Sequence, residues 1–414
     1  MKRLIIVLLL LPLALMANEY TLEELIQYGM DHSFSIQKSN LSAESAASSL
    51  TSSKWNLIPE ADLTASVTQD FNPVSPQSGL GSSVGFALSK TISLNDAAYF
   101  NYKYATLDNQ TAQMRTQQSY SSYAFQVFQA YVQALSAARR KSALEENLAI
   151  QTRVWEQSKV LLQLGKTTPF EVKQNEIAVM NSRISIIQLE NTIATARSNL
   201  FALVQMQDAG YPLKELTLEI NRELPEYATD QVIDLQILKQ ELKRSDLNLK
   251  QNKLDNFPKI SLAYNLSRRI SGDDFDFDRY NTNHGVSLNL SYSLWNHFRN
   301  SQTNKRSSIN RQLTQISIED MTDQIRRDYD TILQELEYLI RLDELYSEKL
   351  EQSQQQIKIA EERYRLGLIQ LLELDKTRTD YVSADIDYYA NRYQIMLKQE
   401  ALNNLLSHKI MGKW

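Results

Sequence analysis

Two stretches of this chain repeat one pattern of leucine, glycine and glutamate at an offset of 202 residues. Leu162–Val172 reads LQLGKTTPFEV, and Tyr364–Leu374 reads YRLGLIQLLEL. A second set recurs at the same offset: Val84, Leu88, Ser89 and Ile92 correspond to Val286, Leu290, Ser291 and Leu294. Two different elements sharing one offset predict an internal duplication with the order helix, strand, strand, long helix, glycine break, helix.

The duplication divides the chain into a first repeat at 18–208, a connector at 209–230 and a second repeat at 231–414. The first repeat is predicted to hold strands at about 60–71 and 82–94 and a helical hairpin with its tip near 165. The second is predicted to hold strands at about 259–269 and 285–295 and a hairpin with its tip near 367. The connector contains two prolines and no clear helical period.

The helices are predicted to be unusually long, since only 10 glycines and 8 prolines punctuate 414 residues. No proline occurs from Asn296 to Tyr364, and the next glycine is Gly367. At 1.5 Å per residue, roughly 65 helical residues extend about 100 Å. Apolar residues within this stretch follow alternating steps of three and four, which indicates a coiled-coil seam: Tyr329, Ile332, Leu336, Leu339, Asp343, Tyr346, Leu350, Ser353, Ile357, Ala360 and Tyr364. Helices that meet at Gly165 and at Gly367 are therefore predicted to form antiparallel hairpins.

The four strand segments alternate apolar residues with Ser, Thr, Asn and other small or polar residues. In the third, for example, Ile260, Leu262 and Tyr264 alternate with Ser261 and Ala263. Each runs about ten residues, the length of a tilted strand that crosses a bilayer. Aromatic residues lie near the strand ends, as in an interfacial girdle: Trp55, Phe71, Phe257, Tyr292, Trp295 and Phe298. A membrane barrel is favoured over the alternative, a soluble antiparallel sheet.

Four strands are too few to close a barrel, because the smallest membrane barrels use about eight. An open sheet edge in lipid leaves backbone groups without partners. If these strands lie in a membrane, several copies of the chain must share one barrel.

The first seventeen residues resemble a secretory signal. Lys2 and Arg3 are followed by the apolar run Leu4–Leu15 and by Ala17, a possible cleavage point. The chain has no cysteine, so an exported form must be held together by packing or assembly rather than by disulfides. Export is the predicted fate.

Enzyme signatures are absent from the sequence: there is no P-loop, no Rossmann glycine pattern and no nucleophile elbow. Four scattered histidines have no metal-ligand spacing. We expect no catalysis, no cofactor and no metal site, and the mild acidity (formal net charge −5) does not indicate nucleic-acid binding. The acidic segment Asp273–Arg279 is predicted to be an exposed loop, with ion binding as the weaker alternative.

Three further charged features are each more simply read as solvated helix surface. One is the basic run Ala138–Lys141, and another is Glu171, which follows the first glycine break. The third is the pair Glu373 and Asp375, which follows the second break. The functional alternative is that oligomerisation repeats these carboxylates as a ring at a pore constriction, which would favour cations.

The order of these elements resembles the TolC family of outer membrane efflux proteins. The resemblance covers about 20–407 and is carried by YTLEELIQYGMDHSFSIQKSNLSAESA, NFPKISLAYNLSR, VSLNLSYSLWNHFRNSQ and AEERYRLGLIQLLELDKTRTDY. Two departures are evident. SLNDAAY and SLWNHFR replace the family's common Phe-Asp-x-Gly pattern, and Pro169 replaces a residue that would continue a helix freely.

The resemblance implies a mainly α fold with a small β part and a homotrimer in the outer membrane of a Gram-negative bacterium. Each chain would give four strands to a shared twelve-stranded barrel and its long helices to a periplasmic α-barrel. The hairpin tips, Leu164 with Gly165 and Leu366 with Gly367, would meet a periplasmic adaptor protein. Glu373 and Asp375 are the nearest matches to the acidic residues that line the closed end of the pore in this family.

The predicted function is therefore a passive exit duct of a tripartite efflux pump or a type I secretion system, serving an inner-membrane transporter. The alternatives are a coiled-coil structural or adhesive exported protein without channel activity, a periplasmic hydrolase, and a general porin.

Overall fold

A computed structural model describes residues 19–69, 80–217, 220, 225–271, 281–292 and 295–413. The signal-like segment 1–17 and the acidic segment Asp273–Arg279 lie outside these residues, as does Phe71. No helix in the part of the chain so described is both long enough and apolar enough to cross a membrane.

The fold is mainly helical with a small sheet, as the sequence predicts. The helices are α1 (Leu22–His32), α2 (Phe34–Trp55), α3 (Ala97–Gln163), α4 (Pro169–Val204), α5 (Ile233–Leu254), α6 (Asn296–Arg365) and α7 (Leu371–Leu405). The strands are β1 (Glu60–Gln69), β2 (Leu80–Ile92), β3 (Lys259–Ser271) and β4 (Asn281–Ser291), and short 3-10 turns span Thr229–Gln231 and Ile410–Gly412.

The chain divides into two compact units that differ from its two sequence repeats. One unit comprises the described residues up to Gln37, together with Tyr120–Tyr227 and those from Asp328 onward. The other comprises Lys38–Ser119 and Ala228–Arg327. Each unit therefore draws segments from both repeats, because α3 and α6 run from one unit into the other.

The second unit holds a four-stranded antiparallel sheet in the order β1-β2-β3-β4. Its register brings the apolar residues of the strands to one face: Leu63 pairs with Phe86, Phe86 with Leu266, and Tyr264 with Val286. That face is uncovered in the single chain, where Leu63 is 78% exposed and Val286 70% exposed. The two edge strands of this sheet are β1 and β4.

Two strands begin and end earlier in the chain than the alternation predicts. β2 ends at Ile92 and β4 at Ser291, so Leu94, Tyr292 and Trp295 lie beyond the strands. The alternating pattern continues into these residues, but β3 begins at Lys259, opposite Ser291, and offers no partner further on. The predicted girdle residues that the structure describes are all exposed, from 52% to 81%: Trp55, Phe257, Tyr292, Trp295 and Phe298.

The main hydrophobic core lies in the first unit and joins α1, α3, α4 and α7. Its buried members include Leu25 and Ile26 of α1, Phe128 of α3 and Phe201 of α4. Ile410, which follows α7, is fully buried in the same cluster. This core contains the parts of α3, α4 and α7 that are far along each helix from the glycine turns.

Both predicted helical hairpins are present in the first unit. Gln151 of α3 accepts a hydrogen bond from Ser182 of α4 (2.7 Å), and Asp343 of α6 pairs with Arg392 of α7 (3.1 Å). The predicted seam on α6 lies on its packed side, since every member except Tyr364 is buried or half-buried. The hairpins also meet each other, because Ile150 of α3 and Val382 of α7 share a small buried cluster.

Candidate functional site at the hairpin tips

The first hairpin turns at Gly165, which follows the end of α3. The backbone N–H of Gly165 donates to the carbonyl of Leu162 (3.0 Å), and that of Lys166 donates to Leu161 (2.8 Å). These two bonds and the left-handed backbone of Gly165 (φ +68°) form a Schellman motif, which satisfies the last carbonyls of a helix.

The second tip repeats this turn bond for bond. Gly367 donates to the carbonyl of Tyr364 (2.9 Å) and Leu368 donates to Arg363 (2.8 Å), with φ at Gly367 of +71°. A Cβ added at either glycine would have no heavy atom within 4 Å. Backbone conformation alone therefore explains glycine at these positions, because the left-handed region strains other residues.

Pro169 begins a helix instead of interrupting one. It occupies the first turn of α4, where a missing N–H costs nothing. Thr168 is the N-cap, and its side chain accepts a hydrogen bond from the N–H of Glu171 (3.3 Å). The departure from the family pattern at Pro169 thus leaves the turn intact. The matching cap position of α7, Gln370, makes no side-chain hydrogen bond to the helix.

The tips expose several large apolar side chains. The most exposed are Phe170 (75%), Leu368 (65%), Leu164 (63%), Leu366 (61%) and Leu372 (57%). An exposed apolar cluster on helix ends is typical of a surface that docks against another protein. Adaptor contact by Leu164, Gly165, Leu366 and Gly367 stays a prediction.

The two acidic residues predicted for a pore constriction have different environments. The side chain of Glu373 is exposed in the first turn of α7, whereas Asp375 is buried, with its side chain 0% exposed. Of these two residues, only Glu373 presents its carboxylate to solvent in the single chain. The constriction stays a prediction, and it rests on Glu373.

Asp375 instead belongs to an ion-pair network that connects α3, α7 and α6. Its Oδ1 lies 3.4 Å from Nη1 of Arg378 and 3.7 Å from Nη2 of Arg153 on α3. Arg378 also pairs with Glu361 of α6 (3.0 Å). The second oxygen, Oδ2, has no hydrogen-bond partner among the described residues, and Asp375 borders a cavity of about 150 Å³.

Burial raises the pKa of Asp375 above the ordinary value of 3.8, although Arg153 and Arg378 oppose the shift. The folded chain therefore holds this proton more tightly than the unfolded chain. The contribution of the carboxyl to stability is largest at low pH and falls as the pH rises from 3.8 through the raised pKa.

We expect Asp375→Asn to remove this pH dependence. Lowering the pH from about 7.5 to about 4 should raise the thermal midpoint of the wild type relative to that of the variant, because only the wild type gains stability as this carboxyl is protonated. Helical circular dichroism at both pH values measures the difference, and Asp380→Asn, which changes an exposed carboxylate on the same helix, is the control. Equal shifts in the wild type and Asp375→Asn would contradict the assignment.

A further surface at these hairpins was not found in the sequence. One side of α4 exposes apolar residues at steps of three, four and seven, from 51% to 75% exposed: Phe170, Ile177, Met180, Ile184 and Ile187. We call this set the α4 stripe. A similar line on α6 consists of Tyr338, Leu345 and Ile359, from 59% to 63% exposed. The heptad spacing was readable in the sequence, but a seam packed inside the chain has the same spacing.

Comparison with known proteins agrees with this geometry. The family model described as outer membrane efflux protein matches residues 25–204 and 224–408. No curated protein matches the sequence.

Three solved structures show the same fold. A membrane protein from Pseudomonas aeruginosa aligns with a TM-score of 0.79 at 16% identity, covering 95% of this chain and 91% of that one. The CmeC outer membrane channel of Campylobacter jejuni gives 0.78 at 14% identity, covering 95% and 87%. The outer membrane protein VceC of Vibrio cholerae gives 0.78 at 14% identity, covering 94% and 96%.

The family match spans most of the chain and confirms the resemblance noted in the sequence. Its two segments each contain a pair of strands and one of the two Schellman tips. The chain belongs to the outer membrane efflux protein family.

Proposed function

We propose that this chain forms, as a homotrimer, the outer membrane exit duct of a tripartite efflux assembly. An adaptor protein docks at the hairpin tips in the periplasm, and an inner-membrane transporter supplies the energy. A type I secretion assembly would contain the same three components: the duct, an adaptor and an inner-membrane transporter. Substrates pass through the duct passively.

The observation that carries this proposal is the open four-stranded sheet. Its edge strands β1 and β4 have no further partner strand among the described residues, and its apolar face is uncovered. In lipid, each unpaired backbone group at those edges would cost several kcal/mol. Pairing β1 of one copy with β4 of the next removes both edges, and three copies give twelve strands, above the minimum of about eight.

The α4 stripe supports the same assembly. Monomeric soluble proteins rarely leave a long apolar line on one helix uncovered. In a ring of copies, the exposed line on α6 of one chain can cover the α4 stripe of the next.

The hairpins support a gated duct. Arg153 and Asp375 join α3 to α7, and Arg378 and Glu361 join α7 to α6. We propose that opening of the periplasmic end separates the two hairpins near their tips, with Glu373 close to the constriction.

Conductance of the purified protein in planar bilayers tests the proposal. We expect channels whose conductance is small and rises several-fold when the ion pairs at Asp375 are weakened by Arg153→Gln. Lys349→Gln, which removes an ion pair with Asp387 farther from the tips, is the control and should leave the conductance unchanged.

Three results would contradict the proposal. A large and constant conductance would identify a general porin. A protein that stays soluble without detergent and never inserts would identify a coiled-coil structural protein. Mild cross-linking in cells that captures no adaptor or transporter would exclude the tripartite assembly.

A further inference from the structure

A second cavity of the first unit lies among α3, α4 and α7, away from the tips. Its volume is about 330 Å³, within the range of small-molecule sites in proteins. One part of its wall is apolar and includes Val132, Leu189 and Leu397. Another part is formed by the polar residues Gln133 and Gln394. The cavity is therefore amphipathic.

The one ionised side chain among the described residues of this wall is Arg140, from the basic run Ala138–Lys141. Its neighbours in that run are engaged elsewhere. Arg139 pairs with Glu215 (3.2 Å) and Asp385, and Lys141 pairs with Glu190 (2.9 Å).

Arg140 itself forms no ion pair or hydrogen bond with any residue that the structure describes. Arg140 thus lines the cavity without a partner in the described part of the chain, and it is exposed, as are Gln133 and Gln394, so the polar side of this cavity is open to solvent.

No carboxylate of the described residues lines this cavity to neutralise Arg140. Tyr393, which also lines it, is neutral at physiological pH, and burial raises its pKa further, to about 12. The cavity thus combines one uncompensated positive charge with amide groups and an apolar wall.

We propose that this cavity binds a single-chain amphiphilic anion. The anionic headgroup pairs with Arg140 and accepts hydrogen bonds from the amides of Gln133 and Gln394. The alkyl chain lies against Val132, Leu189 and Leu397. The volume is near the lower end of the range for ligand sites, which fits one short alkyl chain better than two.

Photo-cross-linking tests this site without any assay of transport. The full chain, reconstituted in nanodiscs, is irradiated with decanoate that carries a diazirine on its alkyl chain, and the adducts are mapped by mass spectrometry. We expect adducts in the segments 132–140, 189–196 and 393–397. Decanoate should compete with the probe, whereas decanol and decyltrimethylammonium should not. Diazirine-labelled lysophosphatidylglycerol, run in parallel, distinguishes a lipid-derived anion from a free fatty acid.

Two variants test separately the charge of Arg140 and the volume of the cavity. Arg140→Gln should reduce labelling about threefold to fivefold, because an exposed ion pair contributes up to about 1 kcal/mol. Ala196→Phe should also reduce labelling, since it fills the cavity while Arg140 remains. Arg183→Gln, which removes an exposed charge on α4 outside the cavity, is the matched control and should label like the wild type.

Equal labelling of Arg140→Gln and the wild type would overturn the proposal. Equal competition by decanol would overturn it too, because the charge would then have no role. A neighbouring copy that covers the cavity in the assembly would give no adducts in these segments, which is likewise a refutation. Both variants change partly exposed positions, and circular dichroism confirms their folding.

Discussion

A disulfide between Ile150→Cys and Val382→Cys should reduce transport through this channel to the background of a strain that lacks it. The two side chains share one buried cluster, where α3 of the first hairpin meets α7 of the second. Formation of the bond is verified first, because a disulfide requires Cα atoms about 4.4–6.8 Å apart. If the periplasmic end opens by separating the hairpins, a covalent bond at this contact holds it closed.

The chain offers a clean background for this experiment, because it has no cysteine of its own. Transport is measured as efflux of a compound to which loss of the channel sensitises the host. Each single-cysteine variant, treated with the same oxidant, is the control and should transport normally. A reductant should restore the double variant. Complete disulfide formation with undiminished efflux would exclude hairpin separation as the opening step.

Two aspartates in the α4 stripe should prevent assembly of the channel. Ile177→Asp and Ile184→Asp place charges on an apolar surface that is exposed in the single chain but is buried in the proposed trimer. Burying an unpaired charge costs about 3–5 kcal/mol, enough to dissociate most oligomers of moderate stability. We expect a folded chain with normal helical content that sediments as a monomer in detergent and gives no conductance.

The matched control places the same two charges elsewhere on α4. Ser185→Asp and Asn199→Asp change exposed positions outside the stripe and should leave assembly intact. If the stripe variant still forms trimers, the interface between copies lies elsewhere. If the control variant also dissociates, added charge on α4 is sufficient and the stripe has no special role.

Local signals explain why so much of this fold was predictable. The glycines at 165 and 367 end two long helices for a reason contained in their own backbone conformation. The strands follow from alternation over about ten residues, a signal that lies within each segment. The strand ends were less predictable because they depend on how far a partner strand extends. β4 ends at Ser291 because β3 begins opposite it.

The environment of Asp375 could not be read in the same way. Its partner Arg153 belongs to the other repeat, and no local pattern indicates which residues of two long helices come together. The sequence pattern therefore did not distinguish Asp375 from Glu373. In the structure, α3 covers Asp375 and leaves Glu373 exposed. The role proposed for Arg140 was hidden for a related reason, since its two charged neighbours, Arg139 and Lys141, pair with residues of other elements.

The two Schellman tips have the same backbone conformation but different side chains. After the glycine, the first tip continues as Lys166, Thr167 and Thr168, and the second as Leu368, Ile369 and Gln370. In a threefold assembly the periplasmic end would carry six turns with the same backbone shape. Polar turns would alternate with apolar ones around the ring. A partner protein that recognises only the backbone shape would find six equivalent docking sites. A partner that recognises the side chains would find two different kinds of docking site, three of each. The number of partner molecules that dock thus depends on whether the partner recognises the backbone shape or the side chains of the tips.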